Sequence, residues 1–251
     1  MTANLMGAPF IDLLALPCAG ASAAMYLRWR RSMPPWIRVV PVELPGRGVR
    51  MGEPFVEDFD RLVAQICDEH AASMRGRYTL FGHSMGALLA YGVAQSRHAL
   101  GEPPPCAVFV SASPAPSCRD PGRGAGKDDD AALIADLRKQ GGTPEEVFAS
   151  SELLRLTLDT LAADYRVCGS FRYRAGEPIF APMHVFAGRE DDIAAERIEA
   201  WRYEAGDVCT LDWFDGGHFF VRQQEQQVIA AIVRELTHRL SGADRVTLAS
   251  A

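Results

Sequence analysis

The feature that most constrains this chain is a serine between two glycines, placed where a strand gives way to a helix. Residues 78–91 read YTLFGHSMGALLAY, and Gly82–Gly86 match the pattern G-x-S-x-G. In so tight a turn, side chains two residues either side of the serine would collide with neighbouring backbone, and glycine avoids this. In this setting the pattern predicts that Ser84 is a nucleophile at a helix N-terminus, where backbone N–H groups can hold an oxyanion.

Short apolar runs alternate with longer helical patterns along the rest of the chain. The predicted strands are near-continuous apolar segments, as in a parallel sheet buried on both faces: 10–16, 37–43, 78–81, 107–112, 183–187 and 208–214. Helical patterns with apolar residues at spacings of three and four lie between and after them: 56–74, 85–98 and 223–240. The sequence therefore predicts an α/β fold with a mostly parallel, open sheet and helices on both faces.

One region breaks this alternation. Residues 113–130 read SPAPSCRDPGRGAGKDDD, and helical patterns follow at 130–140 and 151–167 before the next strand. We therefore expect a single domain over residues 1–251 with a helical lid insertion at about 114–178, although the apolar stripe of its second helix is expected simply to pack onto the sheet. The segment 121–128 lacks the first glycine and the final Ser or Thr of a phosphate-binding P-loop, so it is interpreted as a solvated loop.

A serine nucleophile needs a base and an acid that orients the base. In a fold of this kind the acid and then the histidine follow the serine, each after a later strand. His218, in DGGHFF, lies between the last predicted strand and the last helix, and is the predicted base. The acid is expected in GREDD, where Glu190, Asp191 and Asp192 compete, and the residues alone leave that choice open.

The second half of an oxyanion-binding site is expected in the loop after the first strand. Residues 16–22 read LPCAGAS, and such small residues let the backbone approach a substrate closely. Ala19 and Met85 are the predicted donors, acting through their backbone N–H groups. Cys18 lies in the same loop, but no histidine pairs with it in sequence, so it is interpreted as a small buried residue.

Together these segments resemble a known family. LPCAGASA, ELPGRGVR, GHSMGALLAY, the turn at 188–191 and GGHFF occur in the order typical of type II thioesterases, stand-alone α/β-hydrolases that accompany nonribosomal peptide and polyketide synthases. The resemblance covers nearly the whole chain and implies that Ser84, Asp191 and His218 form a catalytic triad. It also implies that residues 17–21 are the oxyanion loop and that the helical insertion is a lid.

The resemblance also implies a function. Such enzymes remove wrong or stalled acyl groups from the phosphopantetheine arm of acyl or peptidyl carrier proteins, without a metal or a cofactor of their own. The chain looks most like members from siderophore clusters, among them the pyochelin cluster. In one departure, Ala21 replaces the second of two adjacent glycines common in the oxyanion loop. A carboxylesterase or acyltransferase with the same triad, or a non-catalytic binding protein on this fold, remains an alternative.

Composition narrows the partners and the compartment. The formal net charge of -6 argues against a nucleic-acid binder. Six dispersed cysteines without a C-x-x-C pair favour free thiols in a reducing cytoplasm and argue against a zinc site. No apolar stretch approaches the roughly 20 residues needed to span a membrane, and Asp12 interrupts a run that otherwise resembles a signal peptide. We expect a monomeric cytoplasmic protein.

Basic residues close in sequence to the expected mouth of the site suggest a docking surface. Carrier proteins are usually acidic, so a basic rim would suit them, and an ordinary solvated surface is an equally good interpretation. The arginines concerned are Arg28, Arg30, Arg31, Arg47 and Arg50.

Overall fold

A computed structural model describes residues 10–119 and 129–248, with side chains described to residue 240. Within these ranges, six parallel strands form one sheet in the order β2-β1-β3-β4-β5-β6. The strands are β1 (Ile11–Leu16), β2 (Ile37–Pro41), β3 (Tyr78–His83), β4 (Val108–Ser111), β5 (Met183–Gly188) and β6 (Cys209–Phe214). The predicted parallel open sheet is confirmed, and each predicted strand end lies within two residues of the observed one.

Helices lie between the parallel strands along the chain. Those in the described ranges are α1 (Trp29–Ser32), α2 (Phe59–Glu69), α3 (Met85–Ala99), α4 (Asp130–Gln140), α5 (Glu145–Ala149), α6 (Ser151–Ser170), α7 (Ala195–Glu199), α8 (Phe220–Gln223) and α9 (Glu225–Leu248). Helix α2 is shorter than predicted, because the Asp58 side chain accepts a hydrogen bond from the backbone N–H of Arg61 and so caps the helix start. The predicted last helix is two helices, α8 and α9, separated at Gln224.

Apolar side chains cover both faces of the sheet. Strand β1 is buried along its whole length, and its side chains alternate between two cores. Leu14 and Leu16 pack in the core that α2 and α3 cover. Leu13 and Ala15 pack in the other core, which α9 covers. The prediction of helices on both faces is therefore confirmed.

The helical insertion lies between β4 and β5 and contains α4, α5 and α6. Its apolar stripe does not pack onto the sheet as expected, since Leu158 and Leu161 of α6 form a separate cluster with Leu133 and Leu137 of α4. Ala19, from the loop after β1, packs against the same cluster. The stripe therefore joins the insertion to the oxyanion loop. The segment interpreted as a solvated loop, 121–128, lies outside the described residues.

In the part of the chain that the structure describes, we find no helix with both the length and the apolar character needed to cross a bilayer.

Candidate active site

Ser84 lies at a strained turn between β3 and α3. Its backbone has φ 57° and ψ -113°, which a residue with a side chain seldom adopts. A Cβ at Gly82 would overlap the Gly86 carbonyl, and a Cβ at Gly86 would overlap the Leu16 carbonyl. Both glycines are therefore required by close backbone contacts, as the sequence pattern predicts.

Three predicted side chains come together in one hydrogen-bonded chain. His218 Nε2 lies 3.1 Å from Ser84 Oγ, and His218 Nδ1 lies 2.9 Å from Asp191 Oδ2. The serine follows β3, the aspartate follows β5 and the histidine follows β6. Since β5 and β6 are paired up to Gly188 and Phe214, the two loops leave the same edge of the sheet side by side. The arrangement can move a proton from the serine to a histidine that a carboxylate orients.

The structure separates the three carboxylates that the sequence left as alternatives. The Asp191 side chain is 8% exposed and accepts from His218 if the ring carries its proton on Nδ1. Asp192 instead forms an ion pair with Lys139 of α4. Glu190 is exposed, and its backbone N–H donates to the carbonyl of Gly216. The geometry therefore favours Asp191 as the acid.

The predicted oxyanion donors face the same space as the serine. Ala19 and Met85 both line the cavity that contains Ser84 and His218. The neighbouring N–H groups are already engaged, because Gly20 donates to Asp164 Oδ2 at 2.8 Å and Ala21 donates to the Cys18 carbonyl. Ala19 is thus well placed to supply the N–H of this loop.

Cys18 has the buried character that the sequence predicts. Its side chain is 3% exposed, and burial raises the pKa of its thiol to about 12. The thiol is therefore protonated at neutral pH and is not a nucleophile.

Comparison with known proteins identifies the family. The thioesterase domain model matches residues 12–238, most of the chain. The chain belongs to the thioesterase domain family. It is accordingly a hydrolase that acts on thioesters.

Relatives and solved structures show which members of this family the chain is similar to. The chain is 31% identical over 234 residues to linear gramicidin dehydrogenase LgrE of Brevibacillus parabrevis, covering 92% of this chain and 89% of that protein. The type II thioesterase BorB from the borrelidin biosynthetic cluster is 34% identical, with a TM-score of 0.83 and coverage of 92% of this chain and 94% of BorB. ClbQ, from the colibactin NRPS/PKS pathway, is 28% identical, with a TM-score of 0.84 and coverage of 92% and 98%.

These similarities confirm the predicted α/β-hydrolase fold and the resemblance to type II thioesterases of nonribosomal peptide and polyketide clusters. The word dehydrogenase in the name of LgrE describes that protein.

His83 packs close to His218 in the thioesterase site. Its ring is fully buried, its Nδ1 lies 2.9 Å from Ser111 Oγ, and its ring centroid lies 5.3 Å from that of His218. Burial, helped by the charges of His218 and Arg222, holds the pKa of His83 well below its usual range. His83 is therefore a neutral packing partner of His218.

A cavity of about 410 Å³ opens beside Ser84 in the thioesterase. The insertion supplies part of its wall, including Asp136, Lys139 and Tyr165, and the Tyr165 hydroxyl donates to Asp136 Oδ2 at 3.0 Å. Arg197 lines another part of the wall and donates to the carbonyl of Cys118. An acyl group bound here meets polar side chains as well as apolar ones. Among the described residues, no cluster of three or more His, Cys, Asp or Glu side chains could hold a metal ion.

The structure divides the five arginines that could form a basic rim into paired and exposed ones. Arg47 is 7% exposed and pairs with Asp164, while Arg50 forms ion pairs with Glu53 and Glu69. These two arginines are therefore not available to form a basic rim, because carboxylates pair with them. The arginines that remain exposed are Arg28, Arg30 and Arg31.

Proposed function

We propose that this thioesterase hydrolyses wrong or stalled acyl groups from the phosphopantetheine arm of carrier proteins through an acyl-enzyme on Ser84. The observation that carries the proposal is the hydrogen-bonded chain from Ser84 through His218 to Asp191, with links of 3.1 Å and 2.9 Å. The origins of BorB and ClbQ, a biosynthetic cluster and an NRPS/PKS pathway, support the carrier-protein context.

Acylation begins when His218 Nε2 takes the proton of the Ser84 hydroxyl. The serine oxygen bonds to the thioester carbonyl carbon, and the carbonyl π electrons move onto the oxygen, which the N–H groups of Ala19 and Met85 stabilise. Asp191 keeps the proton of His218 on Nδ1 and stabilises the charged ring. Collapse of the tetrahedral intermediate breaks the carbon–sulfur bond, and the pantetheine sulfur leaves as a thiol after taking the proton from His218.

Deacylation repeats the same steps with water. His218 removes a proton from the water as its oxygen bonds to the acyl carbon, and the oxyanion again forms at Ala19 and Met85. The bond to Ser84 then breaks, His218 returns the proton to the serine oxygen, and the free carboxylic acid leaves. The enzyme supplies no cofactor in this scheme, because the 4'-phosphopantetheine belongs to the substrate.

The proposed biosynthetic pathway rests on the resemblance in sequence. We propose that the carriers belong to a siderophore synthetase, with the pyochelin type as the specific candidate. Release from carrier domains of such a synthetase, compared with release from unrelated carrier domains, tests this assignment. Equal rates on both sets would count against it.

The central experiment loads a carrier protein with a short acyl group on its pantetheine arm and follows release by intact mass. Ser84→Ala is expected to lower the rate at least about 1,000-fold, because the nucleophile is lost. Ser32→Ala, at an exposed serine of α1, is the matched control and should leave the rate unchanged. The same acyl group is offered in parallel as an oxygen ester.

The outcomes separate the alternatives. Fast release from the carrier that depends on Ser84 and is slow on the oxygen ester supports the editing thioesterase. Release from the oxygen ester alone indicates a general esterase, and transfer of the acyl group to an acceptor other than water indicates an acyltransferase. No release that depends on Ser84 from either substrate would leave a binding protein on a hydrolase fold.

A further inference from the structure

A buried carboxylate of the insertion contacts the oxyanion loop. Asp164 lies on α6 and is 1% exposed. Its Oδ2 accepts a hydrogen bond of 2.8 Å from the backbone N–H of Gly20. Gly20 is the residue after Ala19, the proposed oxyanion donor, so the insertion bonds directly to the loop that binds the oxyanion.

A buried arginine donates a hydrogen bond to the next residue of the same loop. Arg47 follows β2 and donates from Nη1 to the carbonyl of Ala21 at 3.2 Å. It also forms a two-pronged ion pair with Asp164, with both nitrogen–oxygen distances at 2.6 Å. The N–H of Gly20 and the carbonyl of Ala21 are thus tied to one pair of oppositely charged side chains.

The loop needs this support because its conformation is unusual. Gly20 has a φ of +73°, in the left-handed region. Ala19 packs against the cluster of α4 and α6, and Leu161 of α6 lies 3.4 Å from the position of a Cβ at Gly20. Both the charged pair and these apolar contacts fix the direction of the peptide groups at residues 19–21.

A contribution to stability does not explain the pair well. Removing two charges from water costs much of what their attraction returns, and apolar replacements of buried ion pairs are often as stable or more stable. Arg47 also keeps a buried Nε with no hydrogen-bond partner among the described residues, which adds to the cost. Fixed geometry is the benefit that the pair provides, and an oxyanion site works only when its donors are held in place.

We propose that Arg47 and Asp164 are positioning residues that hold residues 19–21 of the oxyanion loop, so that the Ala19 N–H faces the developing oxyanion. This inference rests on the proposed function of Ser84 and Ala19. It makes α6 of the insertion part of the apparatus that stabilises the transition state, in addition to a wall of the cavity.

The test compares a charge-free double variant, Arg47→Met/Asp164→Leu, with the wild type. The readouts are kcat and KM on a small acyl thioester, and the inhibition constant of an acyl-like boronic acid whose tetrahedral adduct with Ser84 places an oxygen in the oxyanion site. The matched control is Arg155→Gln/Asp159→Asn, which removes an exposed ion pair on the same helix. Thermal unfolding shows that each variant is folded at the assay temperature.

We expect the double variant to lose about 100-fold to 1,000-fold in kcat, as when one oxyanion donor is removed, with KM changed by less than about threefold. The boronic acid should bind more weakly by a similar factor. The double variant should melt cooperatively near the wild-type temperature, because apolar side chains replace both charges. The control variant should keep the wild-type values in every readout.

A folded double variant with wild-type kcat and boronic acid affinity would overturn the proposal and leave the pair a merely structural contact. If the double variant does not fold, Asp164→Asn carries the test, because it keeps the shape but turns an amide toward the guanidinium. We expect about a tenfold loss of kcat in that variant, and no loss would overturn the proposal equally. Failure of the proposed function is distinguishable, since wild-type release would then be absent or would persist in Ser84→Ala.

Discussion

The proposed active site has two halves that the fold supports in different ways. The acid–base half consists of Ser84, His218 and Asp191, each of which lies within a few residues of the end of a sheet strand. The oxyanion half consists of residues 19–21 and Met85. Its loop follows β1, but its hydrogen bonds run to Arg47 and to Asp164, which is 144 residues from Gly20 in the chain.

This difference decides which half of the site a substitution should affect. The acid–base half depends on the sheet, which is buried on both faces and has little freedom to move. The oxyanion half depends on α6, which belongs to the insertion between β4 and β5. Changes in α6 should therefore alter transition-state stabilisation while leaving the contacts among Ser84, His218 and Asp191 in place.

The largest effect is expected from a change confined to the acid–base half. Asp191→Asn should lower kcat by about 10,000-fold, because the amide stabilises the wrong tautomer of His218 and cannot balance its charge. The matched control is Asp192→Asn, which breaks the ion pair with Lys139 and should change kcat less than about threefold. Steady-state kinetics on an acyl thioester measure both. Similar losses in the two variants would show that the acid is wrongly assigned.

A change at the contact between the two halves should lower the stability of the fold, by a free energy slightly smaller than the loss in kcat corresponds to. A Cβ at Gly86 would overlap the carbonyls of Leu16 and Pro17, where the oxyanion loop begins. Gly86→Ala should lower the free energy of unfolding by about 3 to 5 kcal/mol, because the new methyl group overlaps backbone that cannot move aside easily.

Gly76→Ala is the matched control for this change, because Gly76 is exposed and a Cβ there would have no atom within 4 Å. Urea unfolding measures both variants. Equal stability of the two would mean that the turn at Ser84 can relax, and that the two halves are less tightly joined than their contacts indicate.

The acid–base half could be predicted from the sequence because its signals are local. Ser84 lies in a recognisable turn, and His218 follows the last strand beside two glycines. The choice of Asp191 needed more, since the residues leave three carboxylates open and the family resemblance suggested one. Only the three-dimensional contacts show that Asp192 turns to Lys139 instead.

The support of the oxyanion half could not be predicted in the same way. Arg47 is close in sequence to the expected mouth, which suggested a basic rim or an ordinary solvated surface equally, and the structure buries it beside Asp164. One signal was present: Asp164 lies three residues after Leu161, on the side of α6 that carries the apolar stripe. A carboxylate on a buried stripe must have a partner, but nothing in the sequence indicates which one.

A third prediction concerns a residue far from both halves. Burial, the largest cause, lowers the pKa of His184 to about 4. The unfolded chain binds this proton near pH 6.5, so the unfolded state holds more protons between these values and stability falls as the pH drops through them. At pH 4.5 His184 should account for about 2 to 3 kcal/mol of lost stability.

His184→Gln should reduce that loss, and urea unfolding at pH 7.5 and pH 4.5 measures it. His238→Gln, at an exposed histidine of α9, should lose as much stability as the wild type. The kcat of His184→Gln at pH 7.5 should match the wild type, because the residue contacts neither half of the site. An unchanged loss between the two pH values would show that another group causes the acid sensitivity.

The smallest effect is expected outside both halves, at the exposed arginines Arg28 and Arg31. Arg28 lines a surface groove with Arg222, and Arg222 follows His218 and donates to the carbonyl of Gly142 in the insertion. Arg28→Glu/Arg31→Glu should raise KM for an acyl-carrier protein about threefold to tenfold at low salt, because an acidic partner is repelled. The effect should shrink as salt is added.

A substrate without a carrier protein shows whether these arginines act on carrier docking or on the active site. On a small acyl thioester, which has no acidic surface, Arg28→Glu/Arg31→Glu should keep the wild-type kcat and KM. Arg75→Glu is the charge control, at an exposed arginine just before β3 and hence at the opposite edge of the sheet. It should leave kcat and KM unchanged for both substrates.

If the carrier KM does not change in the double variant, the carrier docks elsewhere. If both substrates are affected, the arginines act on the oxyanion loop that precedes them, and the separation between docking surface and oxyanion half fails.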